Sequence, residues 1–387
     1  MQYWFVVFAN SLIFLSFQMT TAGIPAYLAQ KGATGRIIGL ATTLSALSAL
    51  IIRPLSAFFE KVFSSKMVIV VGSLCIGLPM MICLYSKAIG LIVAFRIVQG
   101  FGWGLASSVF ASLIANCARN EHISKDIGIA GALSAIATAF ASPLAMYLLS
   151  GGREDTLLTT IAVIAIFVAI IMAFLSVERN SESRTRLFEI KECLSGKATK
   201  YGVVVYFITV SYSPIVTFVP KYLTAEKKGN ATTFFLIFAV VTVIVRALAG
   251  MYVEYYRGKP ILFVAMIVSS VALLCLGVGN GAFAYYCAAL LSGIGTGIGI
   301  NVLQAFAAKT ESPSRRCAAM ATYFIGFDLG MLCGSSLAGF FADRIGVGSM
   351  FLIMAITPIF GTIALLLMGE EKTIRERIAS DRHDVDK

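Results

Sequence analysis

The chain has 387 residues, of which 58% are hydrophobic and 13% charged, and its mean hydropathy is +0.86. A soluble protein of this length needs far more polar surface, so the composition predicts an integral membrane protein and argues against a soluble enzyme. The net charge of +11 lies mostly in loops, where it reflects the positive-inside bias of membrane proteins. We therefore expect no nucleic acid among the partners.

Continuous apolar runs of about 18 to 28 residues recur along the chain, long enough to cross a hydrocarbon core of roughly 30 Å as helices. Their continuity excludes a transmembrane barrel, whose strands alternate over about ten residues. The first run has no basic segment before it and continues to Leu28, which indicates a retained helix rather than a signal peptide. Twelve membrane helices are predicted, at about 3–29, 37–59, 67–86, 88–116, 127–150, 156–177, 201–224, 231–253, 260–279, 281–308, 317–341 and 345–368.

One long polar stretch, 178–200, interrupts this pattern and separates two sets of six spans. The predicted domains are a six-helix bundle at 1–177, a central loop at 178–200, a second bundle at 201–368 and a tail at 369–387. With the N-terminus inside, the inner loops and tail carry 20 Lys and Arg residues and the outer loops eight. This bias predicts a plasma-membrane protein with both termini and the central loop in the cytoplasm.

The two halves repeat at an offset of 193 residues. Because each half has six spans, the repeat is parallel, with its axis along the membrane normal. The predicted fold class is therefore all-α integral membrane, with twelve helices arranged as two parallel-repeat six-helix bundles. The segments that match at this offset are 53–57 with 246–250, 141–145 with 334–338, and Gly100, Gly102 and Gly104 with Gly293, Gly295 and Gly297. Near the end of the first helix of each half, 25–28 matches 220–223 at an offset of 195.

The fourth span contains Arg96 and Gln99 inside an apolar run, followed by Gly100. A charge at bilayer depth is costly and usually faces a cavity or a partner. With the parallel six-plus-six organisation, this segment resembles the major facilitator superfamily, and its RxxQG pattern is similar to that of the proton-coupled drug and small-molecule exporters. The resemblance implies that Arg96 lines the cavity and takes part in coupling; the alternative is a structural arginine bonded to a neighbouring helix.

The superfamily's signature between spans 2 and 3 is eroded here. Ala57 stands in place of the usual glycine, and Lys61 stands where an aspartate is expected. The repeat-related positions of two arginines, about two turns from the ends of spans 2 and 8, favour a structural or gating role. We expect that role for Arg53, Gly100, Pro143, Arg246, Gly250 and Glu254, of which Glu254 supplies the acid of the second-half signature.

Asp328 is the only carboxylate that we find deep in a predicted span. A carboxyl group at that depth could bind and release a proton or pair with an arginine, so Asp328 and Arg96 are the proposed coupling residues. The alternative for Asp328 is helix packing. Gly326, Gly330, Gly334 and Ala338 form a small-residue stripe beside it, which predicts close contact with another helix.

Spans 1, 4, 7 and 10 line the cavity in the superfamily, so the resemblance implies that their polar and aromatic side chains bind substrate. Aromatic rings with a few amides suit an amphipathic organic molecule of moderate size. The candidates are Asn10, Phe14, Phe17, Gln18, Arg96, Gln99, Trp103, Tyr206, Ser213, Asn301 and Gln304, with Tyr323 and Phe327 from span 11.

The predicted function is proton-coupled export of a small organic compound or drug by alternating access, as in multidrug-efflux antiporters. Two alternatives stay open: transport of an organic anion or metabolite in either direction, and a membrane receptor that transports nothing. His122 and His383 lie in loops, so we expect no metal site, no cofactor and no catalytic triad in the membrane. The eight cysteines are expected as thiols, and the protein is expected to act as a monomer in the bilayer.

Overall fold

The computed structural model describes residues 2–86, 88–118, 122–150, 154–175, 193–225, 231–255, 258–279 and 281–367. Within these ranges the chain forms thirteen α-helices and one 3-10 turn, Pro313–Arg315, and contains no strand. The helices are α1 (Gln2–Gln30), α2 (Gly35–Phe63), α3 (Ser65–Tyr85), α4 (Ile89–Cys117), α5 (Ile123–Ser150), α6 (Glu154–Phe174), α7 (Gly196–Ala225), α8 (Ala231–Tyr255), α9 (Gly258–Val278), α10 (Ala282–Lys309), α11 (Arg316–Ile345), α12 (Val347–Met354) and α13 (Thr357–Leu367).

Twelve stretches of the described chain, of 21 to 33 residues each, are long and apolar enough to cross a membrane. Helices α1 to α10 each supply one, the 3-10 turn and α11 form the eleventh, and α12 and α13 together form the twelfth. The predicted all-helical, twelve-span membrane fold is confirmed. The eight cysteines are free thiols, as expected.

The twelfth span is predicted as one helix, but it is broken between Met354 and Thr357. Pro358 follows the break directly and cannot donate a backbone hydrogen bond. The hydroxyl of Ser270 on α9 donates to the carbonyl oxygen of Ala355 at 3.0 Å. This bond satisfies a backbone acceptor that the break would otherwise expose to apolar surroundings.

Several helices extend beyond the predicted spans. α2 ends at Phe63 instead of near residue 59, and only Ser64, with a φ of 101°, separates it from α3. Residues 196–200, assigned by the sequence to the central loop, form the first turns of α7. Hydropathy marks where the chain enters the bilayer, whereas backbone hydrogen bonds decide where a helix ends. The rest of the central loop up to residue 192, and the predicted tail, lie outside the described residues.

Glycines on α4 allow two neighbouring helices to pack closely in the first half of the chain. A Cβ on Gly104 would lie 2.6 Å from the carbonyl oxygen of Ala49 on α2. Gly100 lies against the same helix near Ser45, whereas Gly102 lies against α3 at Gly72. Only glycine permits such backbone approach, so these positions fix the packing of α2, α3 and α4.

The equivalent glycines on α10 make equivalent contacts in the second half. A Cβ on Gly293 would lie 2.9 Å from the carbonyl oxygen of Phe238 on α8, and Gly297 faces the same helix. A Cβ on Gly295 would lie 2.9 Å from the carbonyl oxygen of Ala265 on α9. The 193-residue repeat seen in the sequence is therefore also a repeat of helix packing.

The chain forms two compact units. The first contains Met1–Cys117, Leu133–Ser195 and Glu311–Thr322, and the second contains Ala118–Ala132, Gly196–Thr310 and Tyr323–Lys387. The start of α5 thus belongs to the second unit, and the start of α11 belongs to the first. The division at residues 177 and 201 stays a prediction.

Each unit has its own apolar core. In the first unit, Met19 and Tyr27 of α1 pack with Ile161 of α6, and the hydroxyl of Ser16 donates to the carbonyl oxygen of Ile161 at 2.9 Å. The core of the second unit includes Tyr222, Tyr285 and Phe351, whose rings pack edge to face. These cores hold α1 and α7, which carry candidate site residues, against their neighbours.

Candidate functional site

The first unit brings three predicted aromatic residues together. The rings of Phe17 on α1 and Trp103 on α4 are stacked, with centroids 4.2 Å apart and planes 2° apart. Phe14, one turn from Phe17, meets the same indole edge-on at 4.8 Å. All three side chains are half-buried, so these residues, which we call the aromatic trio, keep some ring surface accessible. Such a surface can bind the flat apolar part of an organic molecule.

The two predicted amides of α1 differ in their surroundings. Asn10 is 5% exposed, and its Nδ2 donates to Oγ of Ser134 on α5 at 2.9 Å. Gln18 is half-buried and makes no hydrogen bond to the described part of the chain. Gln18 is therefore the better placed of the two to bind a ligand, while Asn10 joins α1 to α5.

Arg96 lies inside the first unit and is 2% exposed. Its Nη1 donates to Oε1 of Gln99 at 3.1 Å, and Nε2 of Gln99 donates to the carbonyl oxygen of Ile76 on α3 at 3.4 Å. Nε of Arg96 is buried without a hydrogen bond, and no carboxylate of the described residues pairs with the guanidinium. A buried charge without a counter-ion is costly, which marks this arginine as a functional candidate.

Arg53 has a more complete polar environment. It is 1% exposed, and its Nη1 donates to the hydroxyls of Ser107 at 2.9 Å and Ser108 at 3.3 Å on α4. This arrangement suits the structural role expected for Arg53. Pro143, also expected to be structural, lies within α5, where it removes one helical hydrogen bond.

Two of the predicted residues on α7 pack against α11 in the second unit. The hydroxyl of Ser213 donates to the carbonyl oxygen of Met331 at 2.8 Å. A Cβ on Gly334 would lie 2.6 Å from the carbonyl oxygen of Val210, and Gly330 faces the backbone of Tyr206. The small-residue stripe is therefore a packing surface, as predicted.

Asp328 is half-buried on α11. It lies two residues from both Gly326 and Gly330, which face α7. Two residues correspond to about 200° around a helix, so Asp328 lies on the face of α11 opposite that contact. Phe327, beside it, is also half-buried and meets Phe324 edge to face.

Polar groups on α10 and α11 surround the backbone near Asn301. The Tyr323 hydroxyl donates to the carbonyl oxygen of Ile300 at 2.6 Å, and Nδ2 of Asn301 donates to the carbonyl oxygen of Arg246 at 3.3 Å. Gln304, one turn further along α10, is half-buried and has no hydrogen bond to a described residue. The side chains of Asn301 and Tyr323 are therefore bonded to backbone carbonyl oxygens, whereas the amide of Gln304 can still bind a ligand.

The Arg246 side chain is half-buried and donates from Nη1 to the carbonyl oxygen of Gly131 on α5 at 3.0 Å. Its Nε has no partner. The phenol groups of Tyr212 and Tyr323 are close enough to interact electrostatically with the guanidinium. Tyr212 could not be identified from the sequence, because a single sequence does not indicate which face of α7 packs against α8.

Gly250 allows α8 and the start of α5 to cross closely in the second unit. A Cβ on Gly250 would lie 2.6 Å from the carbonyl oxygen of Ser124 and 2.9 Å from Cα of Gly128. Glu254, the expected acid of this segment, lies in α8, but its side chain is outside the described part of the structure.

The acid at the end of α2 was also missed. Oε1 of Glu60 accepts a hydrogen bond from the Ser65 hydroxyl at 2.6 Å, and the Cys317 thiol of α11 lies close by. The superfamily's signature places the acid at the position of Lys61, and hydropathy assigns that segment to a loop. The helical extension of α2 to Phe63 turns the neighbouring residue inward instead.

Comparisons with known proteins place these features in context. The family model described as Major Facilitator Superfamily matches residues 6–231 and 202–383. An Escherichia coli relative, the uncharacterized MFS-type transporter YhhS, is 23% identical over 376 residues, which cover 94% of this chain and 90% of the relative.

Two solved structures share the fold. The human organic anion transporter MFSD10 matches with a TM-score of 0.82 at 12% identity, over 94% of this chain and 98% of that one. The Escherichia coli fucose:proton symporter FucP matches with a TM-score of 0.77 at 13% identity, over 95% and 98%.

Proposed function

The chain belongs to the major facilitator superfamily of membrane transporters, and from this premise we propose that it moves a small organic compound with a flat apolar portion, coupled to protons. The two halves alternate the access of a midplane site in this proposal. Export is the direction implied by the RxxQG resemblance.

The observation that carries the proposal is the aromatic trio of the first unit. A stacked pair and an edge-on ring, half-buried within a membrane protein, form an adaptable apolar surface. Gln18 adds a polar group without a described partner on the same helix, which suits a ligand that combines a ring with polar substituents.

Arg96 and Asp328 are the proposed coupling residues. Arg96 is buried, and its described hydrogen-bond partner is the neutral side chain of Gln99. The stability of the charged guanidinium therefore depends on any further charge that approaches it. Asp328 is the carboxylate that can take up and release the proton. The two belong to different units, and we propose that protonation of Asp328 changes the relative stability of the transport states.

We place the protein in the bacterial inner membrane as a monomer, with both termini cytoplasmic. The Lys and Arg bias between loops supports the orientation, and the relative from Escherichia coli supports the location. The described residues contain twelve candidate spans, and this even number also supports placing both termini on one side.

Transport of an organic anion is the second candidate, and the unpaired guanidinium of Arg96 favours it. The solved structures sharing the fold include one described as an organic anion transporter and one described as a proton symporter. The direction of the internal pH change in proteoliposomes distinguishes export by antiport from uptake by symport.

The experiment uses proteoliposomes that contain pyranine, a pH-reporting dye. Ethidium, benzamide and hippurate represent aromatic cations, neutral compounds and carboxylates, and each is added outside. Internal alkalinisation that depends on the protein indicates antiport, and acidification indicates symport. Movement of a radiolabelled compound with no change in internal pH would reject proton coupling.

Variants then test the coupling residues. We expect Arg96→Gln and Asp328→Asn to abolish the substrate-dependent pH change. Asp343→Asn is the matched control, because Asp343 is exposed on the same helix as Asp328. A pH change that persists unaltered in Asp328→Asn would remove that residue from the coupling path.

A further inference from the structure

We propose that Arg246 and Tyr212 form a binding site for the carboxylate group of an organic anion. The inference rests on the proposed transport function and specifies one chemical group of the substrate. The residues lie on α8 and α7 of the second unit. The repeat-related position of Arg246 predicts only a structural or gating role for it.

Arg246 has hydrogen-bonding capacity that no described residue uses. Its Nη1 donates to the carbonyl oxygen of Gly131 at 3.0 Å, and this is its only hydrogen bond to a described residue. The remaining donors, Nη2 and the buried Nε, lie along one edge of the guanidinium plane. That edge matches the two oxygens of a carboxylate, and a carboxylate that reaches it can accept both hydrogen bonds at once.

The surroundings of Arg246 supply donors and no described counter-ion. Among the described residues no carboxylate forms an ion pair with it. Tyr212 is half-buried and near enough to interact electrostatically with the guanidinium, and its hydroxyl makes no hydrogen bond to a described residue. A guanidinium, which only donates hydrogen bonds, and a phenol, whose hydroxyl can donate one, together favour an anion.

The position of Arg246 is fixed by its backbone and neighbours. Nδ2 of Asn301 holds its carbonyl oxygen at 3.3 Å, and the bond to Gly131 holds one end of the guanidinium. The ring of Tyr212 is stacked with Phe238, with centroids 5.7 Å apart and planes 13° apart. The donors are therefore held in place before a ligand arrives, which reduces the entropy lost on binding.

The surroundings of Arg53 show that an arginine with unused donors beside a tyrosine hydroxyl is found in the second half and not at the equivalent position of the first. Arg53 occupies the equivalent position in the repeat, but two serine hydroxyls accept from its Nη1. In the first helix of each half, residues 25–28 align with 220–223 at an offset of 195, so Phe17, which has no hydroxyl, takes the place of Tyr212. A carboxylate would thus find a phenol donor beside Arg246 and none at the corresponding position near Arg53.

The test measures ligand binding without transport. Purified full-length protein in detergent is heated with a maleimide dye, which reacts with the eight free cysteines as they become exposed. A ligand that binds the folded state raises the midpoint of unfolding in a concentration-dependent way. The probes are benzoate and hippurate, and the controls of the same shape without the charge are benzamide and hippuramide.

We expect at least one of the two carboxylates to give a saturating upward shift that its amide does not give. Arg246→Gln should abolish the shift, and Tyr212→Phe should weaken the apparent affinity at least about tenfold, as expected for one hydrogen bond to a charged group. Tyr285→Phe is the matched control, because the Tyr285 hydroxyl donates to the carbonyl oxygen of Gly279 at 2.6 Å within the apolar core of the second unit. Removing that hydroxyl should lower the unfolding temperature without changing the carboxylate affinity.

Three results would overturn the inference: no shift with either carboxylate, equal shifts with acid and amide, or an unchanged affinity in Tyr212→Phe. If Arg246→Gln does not fold, Tyr212→Phe still decides, since it removes a single hydroxyl. Carboxylate binding with no transport of any compound in proteoliposomes would uphold this site and reject the proposed transport. Transport without carboxylate binding would do the reverse.

Discussion

The aromatic trio offers a direct optical test of ligand binding. The chain has two tryptophans, Trp4 and Trp103, and Trp4 is 58% exposed near the N-terminus. A Trp4→Phe background therefore leaves Trp103 as the single indole fluorophore. Its emission should change when a ring binds against the trio, and titration of the transported compound then gives a dissociation constant.

The informative perturbation in this background is Phe17→Leu. Phe17 forms the parallel stack with the indole at 4.2 Å, and such an aromatic pair contributes about 0.5–1.5 kcal/mol beyond its buried area. If a bound ring makes one comparable contact with Phe17, its loss should raise the dissociation constant about two- to twelvefold.

The control is Phe63→Leu at the end of α2, which also removes one ring from an aromatic pair, that with Phe59. Its dissociation constant should equal that of the background protein. If Phe17→Leu shifts the Trp103 emission but leaves the dissociation constant unchanged, the trio is helix packing and the proposed binding surface is wrong.

Three further predictions concern packing, conformational change and surface charge. Gly334→Ala should destabilise the protein by about 1–3 kcal/mol through overpacking, because its Cβ would meet a backbone oxygen of α7 at 2.6 Å; Gly339→Ala, whose nearest neighbour is 3.9 Å away, should be tolerated, and equal unfolding midpoints would contradict this. Cys317 is 1% exposed, so as the sole cysteine it should react slowly with maleimide and faster during turnover; a constant rate would show that the start of α11 stays packed. The Lys31–Glu154 pair joins at 2.6 Å but is partly exposed, so Glu154→Gln should cost under about 1 kcal/mol by thermal unfolding, and a larger loss would show a buried role.

The number and position of the membrane helices could be predicted because hydropathy follows directly from composition along the chain. The helix ends could not. α2 continues to Phe63 because a helix keeps its hydrogen bonds beyond the apolar core, and this extension places Glu60 against Ser65. The break before Pro358 was missed for the opposite reason, since apolar residues continue through it.

The partners of the site residues depend on helix packing, which one sequence does not specify. Helical spacing grouped Phe14, Phe17 and Asn10 on α1, and the first two do meet Trp103. Asn10, however, is bonded to Ser134, 124 residues away in the sequence. No local sequence pattern could indicate that the Asn10 amide joins two helices while the Gln18 amide on the same helix makes no hydrogen bond to a described residue.

Comparison of the repeats separates scaffold from function more sharply than either half does alone. The glycines of α4 and α10 keep both their positions and their contacts, as expected where backbone approach fixes a common architecture. The arginines keep their positions but not their surroundings. Ser108 accepts a hydrogen bond from the guanidinium of Arg53. Its equivalent in the second half, Asn301, donates to the carbonyl oxygen of Arg246 and makes no hydrogen bond to the guanidinium. The hydrogen bonds of Arg53 to the serines stay within the fold, whereas Arg246 keeps donors that no described residue uses beyond its bond to Gly131. Donors left over in this way are what a binding site for an acceptor requires.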